Sequence, residues 1–354
     1  MKVLVAIDSL KGCLSSLEAN EAVRDGILCR WPDAEVFTVP VSDGGEGFVD
    51  AVYGAVGGQL IETEVYDPLM RPVCARYLLS DTASPAHFSS DKGCKTAYIE
   101  MAQASGLCLL QPEERNPLIT TSYGTGQLIA DAVQRGAREI VVGLGGSATS
   151  DCGRGMLQAL EGTNLHGIHF IIAPDVDNPL LGPRGAVHVF ARQKGATEAM
   201  LDELEQRSVA FVSENRRIQG RDCSQQPGAG AAGGVGYALM QFFGAEQQSG
   251  AELILDAVNF DTLFSEADLV VTGEGSADRQ TLMGKLPSVI LAKAKHFRTP
   301  VALVAGRITD ADALLSAGFA QVFCINPPES PLAECMKSDV AWQRLHEVAK
   351  SFNT

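Results

Sequence analysis

The chain has 354 residues and a formal net charge of −15 at neutral pH. That length exceeds what one hydrophobic core usually supports, so about two domains are expected; the acidic balance argues against nucleic acid and anionic membranes as partners, and leaves any anionic ligand to local amides, a few Lys or Arg side chains and Mg²⁺. Nine scattered cysteines with no C-x-x-C spacing read as reduced thiols of a cytoplasmic protein, MKVLVAIDS is a strand too short for a signal peptide, and no apolar run approaches the ~18 residues of a membrane span.

In chain order, residues 2–7 (KVLVAI) form a near-continuous apolar strand of the buried parallel type. Asp8, Ser9, Leu10, Lys11 and Gly12 follow at its C-terminal end, where open α/β sheets bind ligands. Ser15 and Glu18 make a capping box, and a helix runs to about Arg30. A second strand, 35–41, ends in Ser42-Asp43-Gly44-Gly45-Glu46-Gly47. Two strands that both end in carboxylates and glycines point to a shared crevice rather than two unrelated turns. A helix over 48–56 and a strand over 59–65 follow, and Asp67-Pro68-Leu69-Met70-Arg71-Pro72 breaks the periodicity as a domain boundary.

Strands are expected over 75–79 and 96–100, joined by a polar hairpin loop. The hydroxyl-rich stretch 120–126 opens a helix over 127–135 that Gly136 caps. Residues 139–155, EIVVGLGGSATSDCGRG, are the densest signal in the chain. Ile140-Val141-Val142 reads as a short strand; Gly143, Gly145 and Gly146 follow, then Ser147, Thr149, Ser150 and Asp151, before a helical pattern resumes at Met156. Glycines there let backbone amides face an anion at a helix N-terminus. A plain tight turn with a Ser or Asp cap explains the spacing equally well, and the run is not a Walker-type loop.

A strand over 170–173 ends in Asp175, Asp177, Asn178 and Pro179. Arg192 and Lys194 are two cations able to meet an anion, although a solvated surface suits such residues as well. A helix is expected over 198–207. The second glycine run, 227–236, includes Gly230 and Gly233 and fits phosphate contact or close helix packing equally. Strands at 269–272, 301–305 and 321–324 then alternate with helices, and Gly273-Glu274-Gly275-Ser276-Ala277-Asp278 follows the first of these strands. The alternation at both ends predicts an α/β protein in which a parallel-sheet domain from residues 1–69 and 263–354 carries an inserted α/β domain, residues 70–262. His166 and His169 form H-x-x-H without a Cys or acidic partner at helical spacing, which disfavours structural zinc. No G-x-S-x-G elbow occurs. Carboxylates beside glycines and hydroxyls at strand ends are what phosphoryl transfer to an alcohol requires: positioning, charge neutralisation and one base.

These motifs together resemble the class I glycerate kinases, which have a flavodoxin-like domain and a second α/β domain. The resemblance runs nearly end to end, through DSLKG, VSDGGEG, EMAQASGL, RNPLITTSYGTG, GLGGSATSDCGRGMLQAL, DVDNPLLGPRGAV, QKGAT, PGAGAAGGVG and VTGEGSADRQTLMGK. It implies ATP-dependent phosphorylation of D-glycerate with Mg²⁺, usually at the 2-hydroxyl, with the active site in an interdomain cleft and a homo-oligomer possible. Three departures stand out: Ile7 replaces the usual Pro, Ser276 follows Glu274-Gly275 where Arg is usual (Arg279 lies three residues on), and 162–168 is shorter than the family's excursion. On this reading Asp175 is the expected general base, with Asp177 as its nearest substitute. Gly145, Gly146 and Ser147 hold phosphate oxygens, with Gly230 and Gly233 as further contacts. Asp8, Ser9, Lys11, Arg192, Lys194 and Lys285 are candidates for carboxylate or phosphate contacts. Asp43, Glu274 and Asp278 are candidates for Mg²⁺ or ribose. Other readings are a sensor of hydroxy acids or nucleotides on the same fold, or a kinase for another small hydroxy acid.

Overall fold

The structure, a computed structural model, describes residues 1–10, 12–81, 94–258, 260–282 and 285–353. Among them eleven strands occur in chain order: β1 Lys2–Ile7, β2 Glu35–Thr38, β3 Gln59–Tyr66, β4 Pro72–Ser80, β5 Lys95–Glu100, β6 Ala137–Gly143, β7 His169–Ala173, β8 Glu246–Gln247, β9 Leu269–Ala277, β10 Val301–Ile308 and β11 Gln321–Cys324. The chain divides into two compact units. One comprises Met1–Asp43, Asp50–Val56 and Ala251–Thr354, the other Gly44–Val49 and Gly57–Gly250.

The first unit is an all-parallel sheet in the order β11-β10-β9-β1-β2. Read from the other edge this is the flavodoxin order, in which successive crossovers run to opposite sides of β1. The apolar KVLVAI run is buried on both faces as its pattern predicts: Val3, Leu4, Val5, Ala6 and Ile7 are almost inaccessible. The helix Ser16–Arg30 starts at the expected capping box, the Ser15 Oγ accepting from the Glu18 amide and the Glu18 carboxylate from the Ser15 amide. It packs with Ser338–Ala349 on one face of the sheet, through Ala19, Val23, Ile27, Ala341 and Leu345.

The second unit holds a six-stranded mixed sheet, β3-β4-β5-β6-β7-β8, antiparallel at the β3 side and parallel from β5 onward. Here the chain crosses earlier than the Asp67-Pro68 break suggested. β3 was expected with the terminal domain, yet it pairs along its whole length with β4 as an antiparallel edge, and the return falls at residues 250–251 rather than near 262. A tight turn at Asp67 is compatible with a hairpin as well as with a boundary, and sequence pattern alone does not separate the two.

Two other elements differ from expectation for packing reasons. The helix Tyr123–Gln134 begins four residues before its expected start, so Gly124 and Gly126 lie within its first turn. A Cβ on Gly124 would collide with the Tyr66 carbonyl, and one on Gly126 with the Met156 carbonyl. Likewise Gly273-Glu274-Gly275-Ser276-Ala277 extends β9 instead of forming a loop, because β10 continues alongside it as far as Ile308 opposite Ala277. The expected hairpin loop between β4 and β5 falls mostly outside the described residues.

Candidate active site

In the second unit the parallel strands β5, β6 and β7 end side by side, and their C-terminal loops build one cluster. β6 stops at Gly143, whose Cβ would press on the Gly44 carbonyl at 2.6 Å. Gly44-Gly45 and Gly145-Gly146 then run past each other. The Gly145 amide donates to the Gly44 carbonyl (3.1 Å), the Leu144 amide to the Ala173 carbonyl (3.1 Å), and a Cβ on Gly145 would overlap the Cα of Gly45. Gly44, Gly143 and Gly145 of the SDGGEG and GLGGSATSD motifs are thus required where backbones pass at close range. The same vacant position on Gly145 lies 3.3 Å from Asp175 Oδ2, so Asp175, half-buried just past β7, reaches the loop.

Ser147 is nearly buried, and its Oγ accepts from the Lys194 ammonium at 2.8 Å. Lys194 also donates to the Thr149 carbonyl at 2.7 Å and is 3 % exposed. Burial pulls its pKa down to about 8, against the nearby charges of Asp151 and Asp175, which raise it. Because the lysine takes an acceptor lone pair of Ser147, the Ser147 proton is directed elsewhere. The amides of Gly146 and Ser147 donate to no acceptor among the described residues. Amides, a hydroxyl, a buried cation and a carboxylate therefore meet on one loop: donors for an oxyanion beside a proton acceptor.

Asp151 braces this loop. Its carboxylate accepts from the Ser122 amide and hydroxyl (both 2.8 Å), the Gly153 amide (3.0 Å) and the Gly155 amide (3.1 Å). The following helix, Arg154–Ala159, is only six residues long, so the loop is not backed by a long helix dipole.

The other candidates separate. Arg192 turns outward into an exposed pair with Glu198 (2.8 Å), so it is a surface cation while Lys194, two residues on, is buried. Residues two apart in the short 3₁₀ turn Arg192–Lys194 lie about 120° apart around its axis, so the two side chains take different faces. Asp177 is 76 % exposed and stands 3.6 Å from Arg184, away from the Asp175 cluster. Gly230 and Gly233 serve packing: a Cβ on Gly230 would meet the Pro179 carbonyl, and one on Gly233 the Thr149 carbonyl. The second glycine run therefore backs the first loop. His169 lies at the start of β7, between Glu139 and Glu246 (3.4 Å to each).

In the first unit the parallel register sets Ile7 opposite Gly273, so Asp8 and Glu274 follow on neighbouring strands, at the point where the strand order reverses. Asp8 is buried and accepts from the Ser9 amide at 2.7 Å. Glu274 is committed to protein donors, with Lys285 at 2.9 Å and the Thr281 hydroxyl at 2.6 Å. Asp278 shapes a turn, accepting from the Gln280 amide at 2.6 Å. Lys11 lies outside the described residues. Arg279, the cation nearest in sequence to the departure at Ser276, is 75 % exposed and 3.8 Å from Asp310. Among the described residues no group of three or more His, Cys, Asp or Glu side chains converges as for a metal ion.

Sequence reasoning passed over Glu100. It ends β5, is 2 % exposed and accepts from the Gly47 amide at 3.1 Å, which ties the SDGGEG loop to the sheet. Its signal was present: a carboxylate directly after an apolar strand, as at Asp8. Ser122 was likewise read as part of a loop, and its link to Asp151 is visible only in three dimensions.

The chain is thus an α/β protein with a flavodoxin-ordered sheet in one unit and, in the other, a glycine loop that carries a buried lysine and a nearby carboxylate. A family model described as "Glycerate kinase family" matches residues 3–168 and 161–353. Similar proteins include a glycerate kinase from Bacillus subtilis (strain 168), 40% identical over 95% of this chain and 93% of its own length. A glycerate 2-kinase from Escherichia coli (strain K12) is 40% identical over 88% and 86%. A crystal structure from Salmonella typhimurium LT2 whose description names glycerate kinase 2 superposes with a TM-score of 0.79 at 36% identity, over 99% of this chain and 96% of that one. The chain belongs to the glycerate kinase family.

Proposed function

We propose that this protein transfers the γ-phosphoryl group of ATP to D-glycerate, at the 2-hydroxyl, giving 2-phosphoglycerate. The observation that carries the reading is the meeting of Asp175, Ser147 and Lys194 on the Gly145–Gly146 loop. Family membership supplies the substrate class, and the relative named glycerate 2-kinase supplies the position.

In this reading the Asp175 carboxylate accepts the proton of the attacking hydroxyl. Lys194, the Ser147 hydroxyl and the Gly146 and Ser147 amides face the transferring phosphoryl group, whose equatorial oxygens carry the charge of the transition state. They are fixed before substrate arrives, Lys194 by Ser147 and Thr149, the loop by Asp151. Mg²⁺, when bound with ATP, supplies further charge neutralisation on the phosphates, and Asp43 and Asp278 are the candidate ligands; Glu274 is held by Lys285 and Thr281.

The test is ADP release with ATP, Mg²⁺ and D-glycerate, followed by ³¹P NMR of the product. A phosphomonoester coupled to the proton on the second carbon is expected. Coupling to the third-carbon protons would overturn the position, turnover only with another hydroxy acid would overturn the acceptor, and turnover below ~10⁻² s⁻¹ with every acceptor would favour a sensor.

A further inference from the structure

Arg115 has an unusual standing among the cations near the loop. It is half-buried, its Nε is fully buried, and its guanidinium has neither a hydrogen bond nor an ion pair among the described residues. The neighbouring cations are all engaged: Arg192 with Glu198, Lys194 with Ser147, Arg71 with Asp67 and Glu114, Arg207 with Glu203. Arginine cannot shed its charge as a buried lysine does, and buried N–H donors are nearly always satisfied.

Its place in the fold is fixed from both sides. A Cβ on Gly195 would collide with the Arg115 carbonyl and come within 2.9 Å of the Arg115 Cβ, so Arg115 abuts the turn that seats Lys194. Five residues on, the Thr120 hydroxyl donates to the Ala148 carbonyl at 3.0 Å, next to Ser147. Between them the Asn116 carbonyl and side chain accept from the amides of Ile119, Thr120 and Leu118, closing a rigid turn. Arg115 thus heads a segment held between the lysine turn and the glycine loop.

We propose that Arg115 recognises the carboxylate of the acceptor. This rests on the reading of the protein as a glycerate kinase and deepens it. The acceptor carries a permanent carboxylate beside the hydroxyl that reacts. In a protein of net charge −15, with Asp175 beside the same loop, that group needs a committed cation. A planar guanidinium fork matches a planar carboxylate, whereas the point charge of Lys194 suits a phosphoryl group. The competing source of the same chemistry is a nucleotide phosphate.

The experiment measures KM and equilibrium binding separately for D-glycerate and for ATP with Mg²⁺, in wild type, R115Q and R115K. R115Q is expected to raise both constants for D-glycerate about 10- to 100-fold, the usual range for a charge-assisted hydrogen bond, and to leave those for ATP within about twofold. R115K, which keeps the charge but loses the fork, should fall between. Preference for D-glycerate over glycerol, which lacks the carboxylate, should shrink in R115Q by the same factor. An unchanged D-glycerate affinity, or a rise confined to ATP, overturns the proposal. If R115Q loses its folded thermal transition, the same comparison in R115K decides. Absence of D-glycerate turnover by the wild type would defeat the kinase reading itself, and the binding titration of D-glycerate would still judge Arg115.

Discussion

The proposed roles of Asp175 and Lys194, one beside Gly145 and the other held by Ser147 and Thr149, each carry their own prediction. Asp175→Asn keeps the shape of the side chain and removes the proton acceptor, so kcat should fall by ~10²–10⁴ with little change in the thermal midpoint. A folded variant with near-normal kcat would remove Asp175 from that role. Lys194 should set an alkaline limit. Its pKa is lowered to about 8 by burial, so kcat/KM should decline as pH rises through that value, and the limb should vanish in Lys194→Met along with about 10²-fold or more of kcat. Stability should move the other way. The folded lysine binds its proton less tightly than the unfolded one, so between about pH 8 and the ordinary lysine range the unfolded chain holds more protons, and this group's contribution to stability rises with pH. Alkaline inactivation accompanied by unfolding would contradict this account. At the same scale Arg192 and Lys194 show how two cations in one short turn take different fates, one exposed against Glu198 and one buried against Ser147.

Among elements, the glycine loop depends on what braces it. The Asp151 carboxylate ties the loop to the start of the helix Tyr123–Gln134 through the amide and hydroxyl of Ser122, and accepts two further bonds from the amides of Gly153 and Gly155. Asp151→Ala should cost about 3 kcal/mol in chemical denaturation, since several half-buried donors lose a charged acceptor at once, and should lower activity as well because the loop loses its fixed geometry. Gly233 tests the second glycine run. It sits at φ +62° with the Thr149 carbonyl where a Cβ would go. Gly233→Ala should therefore destabilise by about 2 kcal/mol or more and disturb Thr149, whose carbonyl holds Lys194. If the run instead contacted phosphate directly, the variant would lose ATP affinity with its stability intact, and paired unfolding and KM measurements separate these outcomes. The strand extension through Glu274 has the same kind of cause: β10 lies alongside it, and a Cβ on Gly273 would meet the Val304 carbonyl.

For the molecule as a whole, a charge of −15 sets a repulsive field against two anionic substrates. Raising salt from about 20 to about 150 mM shortens the screening length to roughly 8 Å, so the KM for ATP should fall by about twofold as the field weakens, while the buried Lys194–Ser147 contact is little screened. A KM that rises steadily over that range would show that surface cations, and not the loop, capture the nucleotide. The α/β class and the parallel sheet built from both chain ends were legible in the sequence because strand patterning is a local signal, while its flavodoxin-like order came from the family resemblance. Which of several equivalent carboxylates, cations and glycines face one another is a long-range matter. Asp175 and Asp177 differ by two residues, yet only Asp175 meets Gly145; nothing in DVDNP separates them, because the way the chain leaves β7 is set by its neighbours. By itself the sequence determined the elements, the two-unit plan and the family, since these follow from periodicity and from motifs long enough to identify. Only the tertiary structure decided that β3 belongs to the second sheet, that Lys194 is buried, that Gly230 and Gly233 are packing residues and that Arg115 stands without a partner among the described residues, because each depends on which backbones come within a few ångströms of one another across more than thirty residues of chain or across a tight turn.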